Sequence, residues 1–256
     1  LTSVDDIQNV LDDQIVRTQA MCGSRYVKPF EPRVKAWEKT LNDLQEIMDS
    51  WLAMQGTWLY LEPIFSSEDI CKQMPSEAKR FRTVDNVFRS TMSQCEADPD
   101  VIKLAQTEGL LEKLVNAVSL LGEIQRGLNE YLETKRVFFP RFFFLGNDEM
   151  LEILSETKDP LRVQPHLSKI FEGISKLNFE KNLDITGMHS AEKEFIPYSY
   201  KEIGVAKINP IDSNGQVEQW LQKIEGVMRR TIALELDKSI EAYREEAVVK
   251  SNRTGW

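Results

Sequence analysis

Cysteine, histidine and glycine are scarce in this sequence, which has three, two and twelve of them in 256 residues. The cysteines, Cys22, Cys71 and Cys95, are far apart and form no C-x-x-C pair. With only His166 and His189 to add, no zinc-binding set can be assembled. We therefore expect no metal site, and reduced thiols in a cytosolic compartment.

Phosphate-binding and catalytic motifs are also missing. No two glycines lie within two residues of each other, and the sequence contains neither G-x-x-x-x-G-K-[ST] nor G-x-G-x-x-G. A loop that cradles phosphates with consecutive backbone N–H groups has no candidate. G-x-S-x-G is absent too, and carboxylate pairs such as Glu245-Glu246 are expected on polar helix faces. We predict a non-catalytic chain without a cofactor of its own.

Positive charge is in deficit, because 32 basic side chains face 41 acidic ones and the net charge is −9. Nucleic acids and anionic membranes are bound by surplus Lys and Arg, so we expect neither as a partner. No run of about 18 apolar residues is present, which argues against a transmembrane helix. The first residues, LTSVDD, do not resemble a signal peptide. Because Leu1 is not a methionine, we expect a fragment of a longer chain.

Apolar residues at helical spacing are plentiful. One stripe predicts a single long helix from Pro32 to Glu62, about 45 Å long at about 1.5 Å per residue, with Pro63 ending it. Its three tryptophans are predicted to be core residues, and the stripe is Val34, Trp37, Leu41, Leu44, Met48, Trp51, Gln55 and Trp58. Similar spacing predicts a helix up to Leu132 and a last helix that begins after a capping box at Ser213–Gln216.

The spacing changes between these long helices. Five phenylalanines fall between Phe138 and Phe144, which predicts a short strand buried on both faces. Asn147 is predicted to cap the next helix, and a brief helix is expected from Pro165 to Ile174. Apolar residues on either side of HSAEK predict a small β-hairpin.

These elements together predict a mainly α protein: an elongated array of long-helix bundles with a short buried strand and a small β-hairpin. We expect a helical-bundle part at 1–134, a mixed helix/β part at 135–208 and a long C-terminal helix at 209–256.

Several phrases of the sequence resemble the linker region of dynein heavy chains. LETKR, FPRF, NDEMLEILSETKDP and VQPHL occur in the family's order and spacing within residues 127–174, and further likeness lies in WLYLEPIFSSEDICKQMP and ITGMHSAEKEF. The likeness is strongest to axonemal chains, in Phe142-Phe143-Phe144 and Asn147-Asp148-Glu149.

The resemblance implies a helical lever that arches over a ring of AAA+ modules and changes its bend and docking with the nucleotide state of that ring. ATP and Mg²⁺ are then expected in the ring of the parent chain, a microtubule motor ATPase, and not in this fragment. The implied partners are that ring, dynein intermediate and light chains, and microtubules, in the axoneme of a cilium or flagellum. The acidic charge of this fragment disfavours its own attachment to the acidic microtubule surface.

Four residues are candidates for contact with the ring: Arg141, Glu192, Lys193 and Glu194. Arg141 lies within the aromatic run, and it must pair with a carboxylate or stack on a ring; internal pairing is favoured over an interface contact. The other three belong to the hairpin, where the family pattern is A-E-G-E. A lysine adopts positive φ reluctantly, so Lys193 predicts a differently shaped turn.

His166 allows two interpretations, a ligand or switch on one hand and a histidine hydrogen-bonded to backbone near a helix start on the other, and the second is favoured.

A free-standing helical scaffold is the alternative function, although it predicts repeat-length self-similarity that the sequence lacks. An enzyme is a more distant alternative.

Overall fold

The computed structural model describes residues 4–155, 159–213 and 216–244. Contacts divide the chain into two compact units, with the boundary between Asn129 and Glu130. Helices dominate, as predicted, and within the described residues none is long and apolar enough to cross a membrane.

The first unit is built from helices alone. They are α1 (Asp5–Cys22), α2 (Glu31–Phe65), α3 (Glu68–Gln73), α4 (Pro75–Ala97), α5 (Val101–Ala105) and the first part of α6 (Leu110–Phe138). Leu11 and Ile15 of α1 pack against Leu41 of α2. Further along α2, Trp58 stacks on Phe88 of α4 with ring centroids 4.3 Å apart.

Three details of this unit differ from the prediction. Pro63 does not end α2, which continues to Phe65, although the missing proline N–H removes one helical hydrogen bond, to the Leu59 carbonyl. Trp37 is 42% exposed and is not a core residue. Ser66, with Asp69 three residues later, is predicted by its spacing to cap α3, but the capping side chain belongs to Ser67, whose Oγ accepts from the Ile70 N–H.

The second unit combines helices with a sheet. Its helices are the end of α6, α7 (Asn147–Ser155), α8 (Leu167–Ile170), α9 (Tyr200–Ile203) and α10 (Val217–Arg244), with 3₁₀ helices at Pro140–Phe144, Pro160–His166 and Pro210–Ser213. The capping box predicted at Ser213–Gln216 lies partly outside the described residues. The carboxylates at 245 and 246 lie wholly outside them.

The sheet has three antiparallel strands in the order β1 (Ile174–Phe179), β2 (Ile185–Ser190) and β3 (Phe195–Pro197). The hairpin of β2 and β3 confirms the prediction, with Met188 opposite Ile196. β1 was not predicted, and Ile174 begins this strand instead of closing a helix. Pairing with β2 decides this, because Leu177 lies opposite Met188 and both side chains are buried.

The predicted short strand in the phenylalanine run is wrong. Phe138 ends α6, and Pro140–Phe144 form a 3₁₀ helix. Phe139 and Phe142 are buried and meet edge to face at 5.1 Å, whereas Phe144 is 66% exposed. A 3₁₀ turn brings residues three apart onto one face, so one pair of rings is buried and the others are not.

Candidate functional site

The turn between β2 and β3 presents Glu192, Lys193 and Glu194 at the surface, all three exposed. Ser190 closes the turn: its carbonyl accepts from the Lys193 N–H at 3.1 Å, and its N–H donates to the Glu194 carbonyl at 2.9 Å. The Ser190 Oγ also accepts from the Glu194 N–H at 3.0 Å. These bonds are typical of a hairpin whose loop is a type I turn followed by one residue in the left-handed region.

Lys193 is that left-handed residue, with φ of +70°. The lysine thus adopts the conformation that a glycine would favour, and its reluctance to adopt positive φ is overcome in this turn. Holding a side chain at positive φ costs roughly 1–2 kcal/mol, and the surrounding hydrogen bonds offset this cost. No described residue forms an ion pair or hydrogen bond with the Glu192, Lys193 or Glu194 side chains.

Gly187 on β2 sets the packing beneath the turn. A Cβ at this glycine would lie 2.6 Å from the Ile196 carbonyl oxygen and 2.7 Å from the Phe195 ring. The Phe195 ring crosses over the glycine and meets His189 at 4.9 Å. A glycine is therefore required here by close approach of the neighbouring strand.

Arg141 has internal partners, as favoured by the sequence. Its Nε lies 3.2 Å from Glu225 Oε1 on α10, and its Nη1 donates to the Ile170 carbonyl at 3.2 Å. The guanidinium also lies over the Phe171 ring, 5.1 Å from its centroid. The structure therefore places Arg141 between α8 and α10, without a hydrogen bond or ion pair to the hairpin turn among the described residues.

The hairpin turn is instead connected to the backbone that follows Phe171. The Ala191 N–H donates to the Gly173 carbonyl at 3.1 Å, and Gly173 has φ of +79°. The four candidate residues thus share one support, the segment from Ile170 to Gly173, which Arg141 contacts at one end and the turn at the other.

The junction of α6 and α7 explains two of the sequence phrases. Arg136 of LETKR donates to the Asn147 side chain at 2.6 Å and to the Leu145 carbonyl at 3.3 Å. Asn147 is the first residue of α7 and not its cap, because the Gly146 carbonyl accepts the first helical hydrogen bond, from the Met150 N–H at 3.0 Å. The Glu149 carboxylate instead accepts from the Gly146 N–H at 3.0 Å, which satisfies one N–H beside the helix start.

His166 lies directly before α8, as favoured, but its buried side chain is beside two carboxylates and forms no hydrogen bond to backbone among the described residues. Its Nε2 lies 3.2 Å from Glu152 Oε2, and its Nδ1 lies 3.8 Å from Glu149 Oε1. Lys169 also binds Glu149 and, with the Gly146 N–H, holds the pKa of that carboxyl below its usual value. Within the described residues no cluster of His, Cys, Asp and Glu could hold a metal ion.

A largely buried ion pair joins α6 to α10. Lys135 binds Glu218, and their side chains are 13% and 6% exposed. The Lys135 ammonium also faces the Tyr131 ring at 5.4 Å. Burial, with a smaller contribution from the Glu218 carboxylate, raises the pKa of Tyr131.

Sequence reasoning missed the residues that fasten the sheet. Gln164 of VQPHL pairs with the edge of β1 like a strand, donating to the Leu177 carbonyl at 2.8 Å and accepting from its N–H at 3.0 Å. The Tyr200 hydroxyl donates to the Ile185 carbonyl at 2.8 Å. The only signal in the sequence for Gln164 was its presence in a phrase that the family shares.

Comparison with known proteins gives the same family as the phrases in the sequence. A family model described as dynein heavy chain, N-terminal region 2, matches residues 1–239. Dynein axonemal heavy chain 3 of Mus musculus is 54% identical over the whole chain, which covers 6% of that protein. Dynein axonemal heavy chain 12 of Mus musculus is 55% identical over 96% of the chain, which covers 8% of that protein.

Dynein axonemal heavy chain 1 of Rattus norvegicus is 46% identical over 95% of the chain, which covers 5% of that protein. The chain therefore spans well under a tenth of the length of these curated relatives. The family match extends over nearly the whole sequence, and the resemblance noted in its phrases is confirmed. The chain belongs to the dynein heavy chain family, as part of its second N-terminal region.

Proposed function

We propose that this chain is the linker, the non-catalytic mechanical lever, of an axonemal dynein heavy chain. On this proposal the parent chain is a microtubule motor ATPase of the cilium or flagellum. Its AAA+ ring binds ATP and Mg²⁺, and it works with intermediate and light chains. The linker changes its bend and docking on the ring, and so converts ATP hydrolysis elsewhere into movement.

The observation that carries the proposal is the β2–β3 turn. Its three charged side chains have no partner among the described residues, although four hydrogen bonds hold the backbone of the turn and Gly187 packs tightly under Phe195. A rigid turn with free carboxylates is suited to docking on another module, since little order has to be gained on contact. Membership of the dynein heavy chain family supports the proposal that this module is the ring of the same chain.

Arg141 has a supporting role in this proposal. Its contacts with Glu225 and Ile170 hold the segment that the turn rests on. Because only about a third of its side chain is exposed, at 31%, we propose that it positions the turn and makes at most a minor contact of its own.

The test is charge reversal at Glu192 and Glu194 in the intact heavy chain. We expect the E192K/E194K variant to glide microtubules more slowly while it still hydrolyses ATP, because a lever that docks poorly uncouples hydrolysis from displacement. The matched control is D237K/E241K, which reverses two exposed carboxylates of α10 in the same unit. This control is expected to keep both velocity and ATP turnover.

Two results would contradict the proposal in different ways. Unchanged velocity in E192K/E194K would remove the turn as a docking element. A proportional fall of ATP turnover and velocity would mean that this region acts on the catalytic cycle and not as a lever. Independently, the sequence of the parent chain is expected to contain G-x-x-x-x-G-K-[ST] between a strand and a helix.

A further inference from the structure

A surface groove in the first unit combines exposed aromatic residues with positive charge. It lies where the end of α1 meets the start of α2, has a volume of about 600 Å³, and is lined mainly by Met21, Phe30, Arg33, Val34 and Trp37. Met21, Phe30 and Trp37 are 50%, 57% and 42% exposed. Apolar side chains this large and this close together on a surface mark an interaction site.

Arg33 is the charged residue in the lining of this groove, and the segment that forms the groove is basic although the protein is acidic. From Met21 to Thr40 the sequence has five basic residues and two acidic ones, against a net charge of −9 for the whole chain. The basic residues are Arg25, Lys28, Arg33, Lys35 and Lys39.

Most of these basic side chains have no acidic partner. Lys35 pairs with Glu31 at 2.7 Å, but Lys28, Arg33 and Lys39 form no ion pair with any described residue. Arg25 lies over the exposed Tyr26 ring, 4.8 Å from its centroid. Exposed lysines and arginines elsewhere in this unit commonly pair, for example Arg80 with Glu123. Arg33, which lines the groove without an ion pair among the described residues, favours an anionic occupant.

Glu38, the second carboxylate of this stretch, is already engaged. It accepts a hydrogen bond from the Cys22 thiol at 3.4 Å, which ties the end of α1 to α2. Burial, together with this bond, raises the pKa of the Cys22 thiol. The end of α1 and the start of α2, which form the groove, are therefore held together by an internal contact, and Glu38 is not available to neutralise Arg33.

We propose that this basic aromatic groove is a docking site for an acidic segment of another polypeptide, one that inserts an apolar side chain beside Trp37. The aromatic floor supplies a desolvated anchor of the kind that dominates binding at protein interfaces. Arg33 supplies charge complementarity in the groove, which orients the segment and speeds its association. This site lies in the first unit and does not depend on the lever function proposed for the second.

The test uses the intact heavy chain and a short fluorescein-labelled peptide in which Glu and Asp flank Leu and Phe. Binding is measured by fluorescence anisotropy at an ionic strength of about 0.15 M. We expect saturable binding that R33E and W37A each weaken about tenfold or more, as removal of an interface anchor does. F30A is a second apolar variant, because the Phe30 side chain is more exposed than that of Trp37 and its removal spares the fold.

The matched controls are K181E, which reverses an exposed lysine without an ion pair among the described residues, and L59A, which removes an exposed apolar side chain of α2. Both are expected to leave binding unchanged. Three further probes identify the class of ligand: the same peptide with Leu and Phe replaced by Ser, vesicles of phosphatidylserine and phosphatidylcholine, and a single-stranded oligonucleotide.

Each outcome decides the proposal. Loss of binding in R33E and W37A, together with weak binding of the Ser peptide, supports it. Equal binding of the Ser peptide would show that only net charge is recognised and would overturn the apolar anchor. Preference for vesicles or for the oligonucleotide would replace a protein partner by a lipid or nucleic-acid one. No saturable binding of the acidic peptide rejects the site.

Discussion

The residues up to Asn129 and those from Glu130 onward are stabilised by different kinds of contact. The first unit consists of helices that bury apolar stripes against one another, such as Phe65 on Phe81 at 5.2 Å. In the second unit, side chains bind backbone or buried charges that are distant in sequence, as Arg141 does with Ile170 and Lys135 with Glu218. Apolar stripes repeat along a sequence and can be predicted, whereas single polar contacts have no period.

The largest expected loss of stability comes from breaking the buried ion pair of the second unit, compared with an exposed pair of the first unit. Replacing Glu218 by Ala leaves Lys135 charged and nearly buried, so we expect E218A to lower the free energy of unfolding by about 3–5 kcal/mol. In the first unit, K35A breaks the exposed pair with Glu31 and should lower the free energy of unfolding far less, because solvent screens exposed charges. Chemical denaturation followed by tryptophan fluorescence measures both, and equal losses would contradict the distinction. The double variant K135M/E218L should cost less than E218A, because no charge is left unpaired.

The next effect concerns glycine. G187A forces a Cβ against the Ile196 carbonyl oxygen and should destabilise the second unit by about 3 kcal/mol, at the upper end for overpacking. In the first unit, a Cβ added at Gly122 of α6 would meet no atom within 4 Å outside the backbone of its own helix. G122A should therefore stabilise the protein by about 0.5–1 kcal/mol, because Ala favours a helix interior. Hydrogen exchange assigns each change to its unit, and a stabilising G187A would show that β2 and β3 can separate at no cost.

A smaller effect appears at alkaline pH. Burial raises the pKa of Tyr200 to about 12 from an ordinary value of about 10. Since the folded state disfavours the phenolate, this contribution to stability is complete below about pH 10 and is lost as the pH rises towards 12. Y200F lacks the hydrogen bond to the Ile185 carbonyl, so its free energy of unfolding at neutral pH should be about 1 kcal/mol lower than that of the wild type. Between pH 10 and 12 this free energy should fall by less in Y200F than in the wild type.

Denaturation midpoints across this pH range provide the measurement. The matched control is Y26F in the first unit, where the tyrosine is exposed. Its stability should equal that of the wild type at neutral pH. If Y200F follows the same alkaline profile as the wild type, Tyr200 is not responsible for the loss.

The smallest effect is a gain. K193G removes the cost of a lysine at positive φ but adds conformational freedom to the unfolded chain, so we expect a net stabilisation of about 0.5–1 kcal/mol. E192G changes the neighbouring position, where φ is not positive, and should instead destabilise by about 0.5–1 kcal/mol. Thermal unfolding of both variants measures the difference, and a destabilised K193G would mean that the lysine side chain stabilises the turn.

The phenylalanine run shows where prediction from the sequence failed. Its apolar residues lie on every face, which suits a buried strand, yet Pro140 begins a 3₁₀ turn and only two of the rings are buried. Periodicity cannot distinguish such short apolar segments.

The candidate site was predicted in part: the hairpin, the exposure of its turn and the internal pairing of Arg141 were expected, but Glu225 could not be identified as the partner because 84 positions separate Arg141 from it.

The sequence by itself determined the helical class, the long helices and the family, because apolar spacing and long shared phrases are local properties of the chain. The tertiary structure alone decided that Ile174–Phe179 forms the strand β1, since this segment is extended by pairing with β2. It also decided the conformation of Lys193, which local preference disfavours and four surrounding hydrogen bonds enforce. Contacts between residues far apart in the chain override weak local preferences, and such contacts cannot be read from spacing.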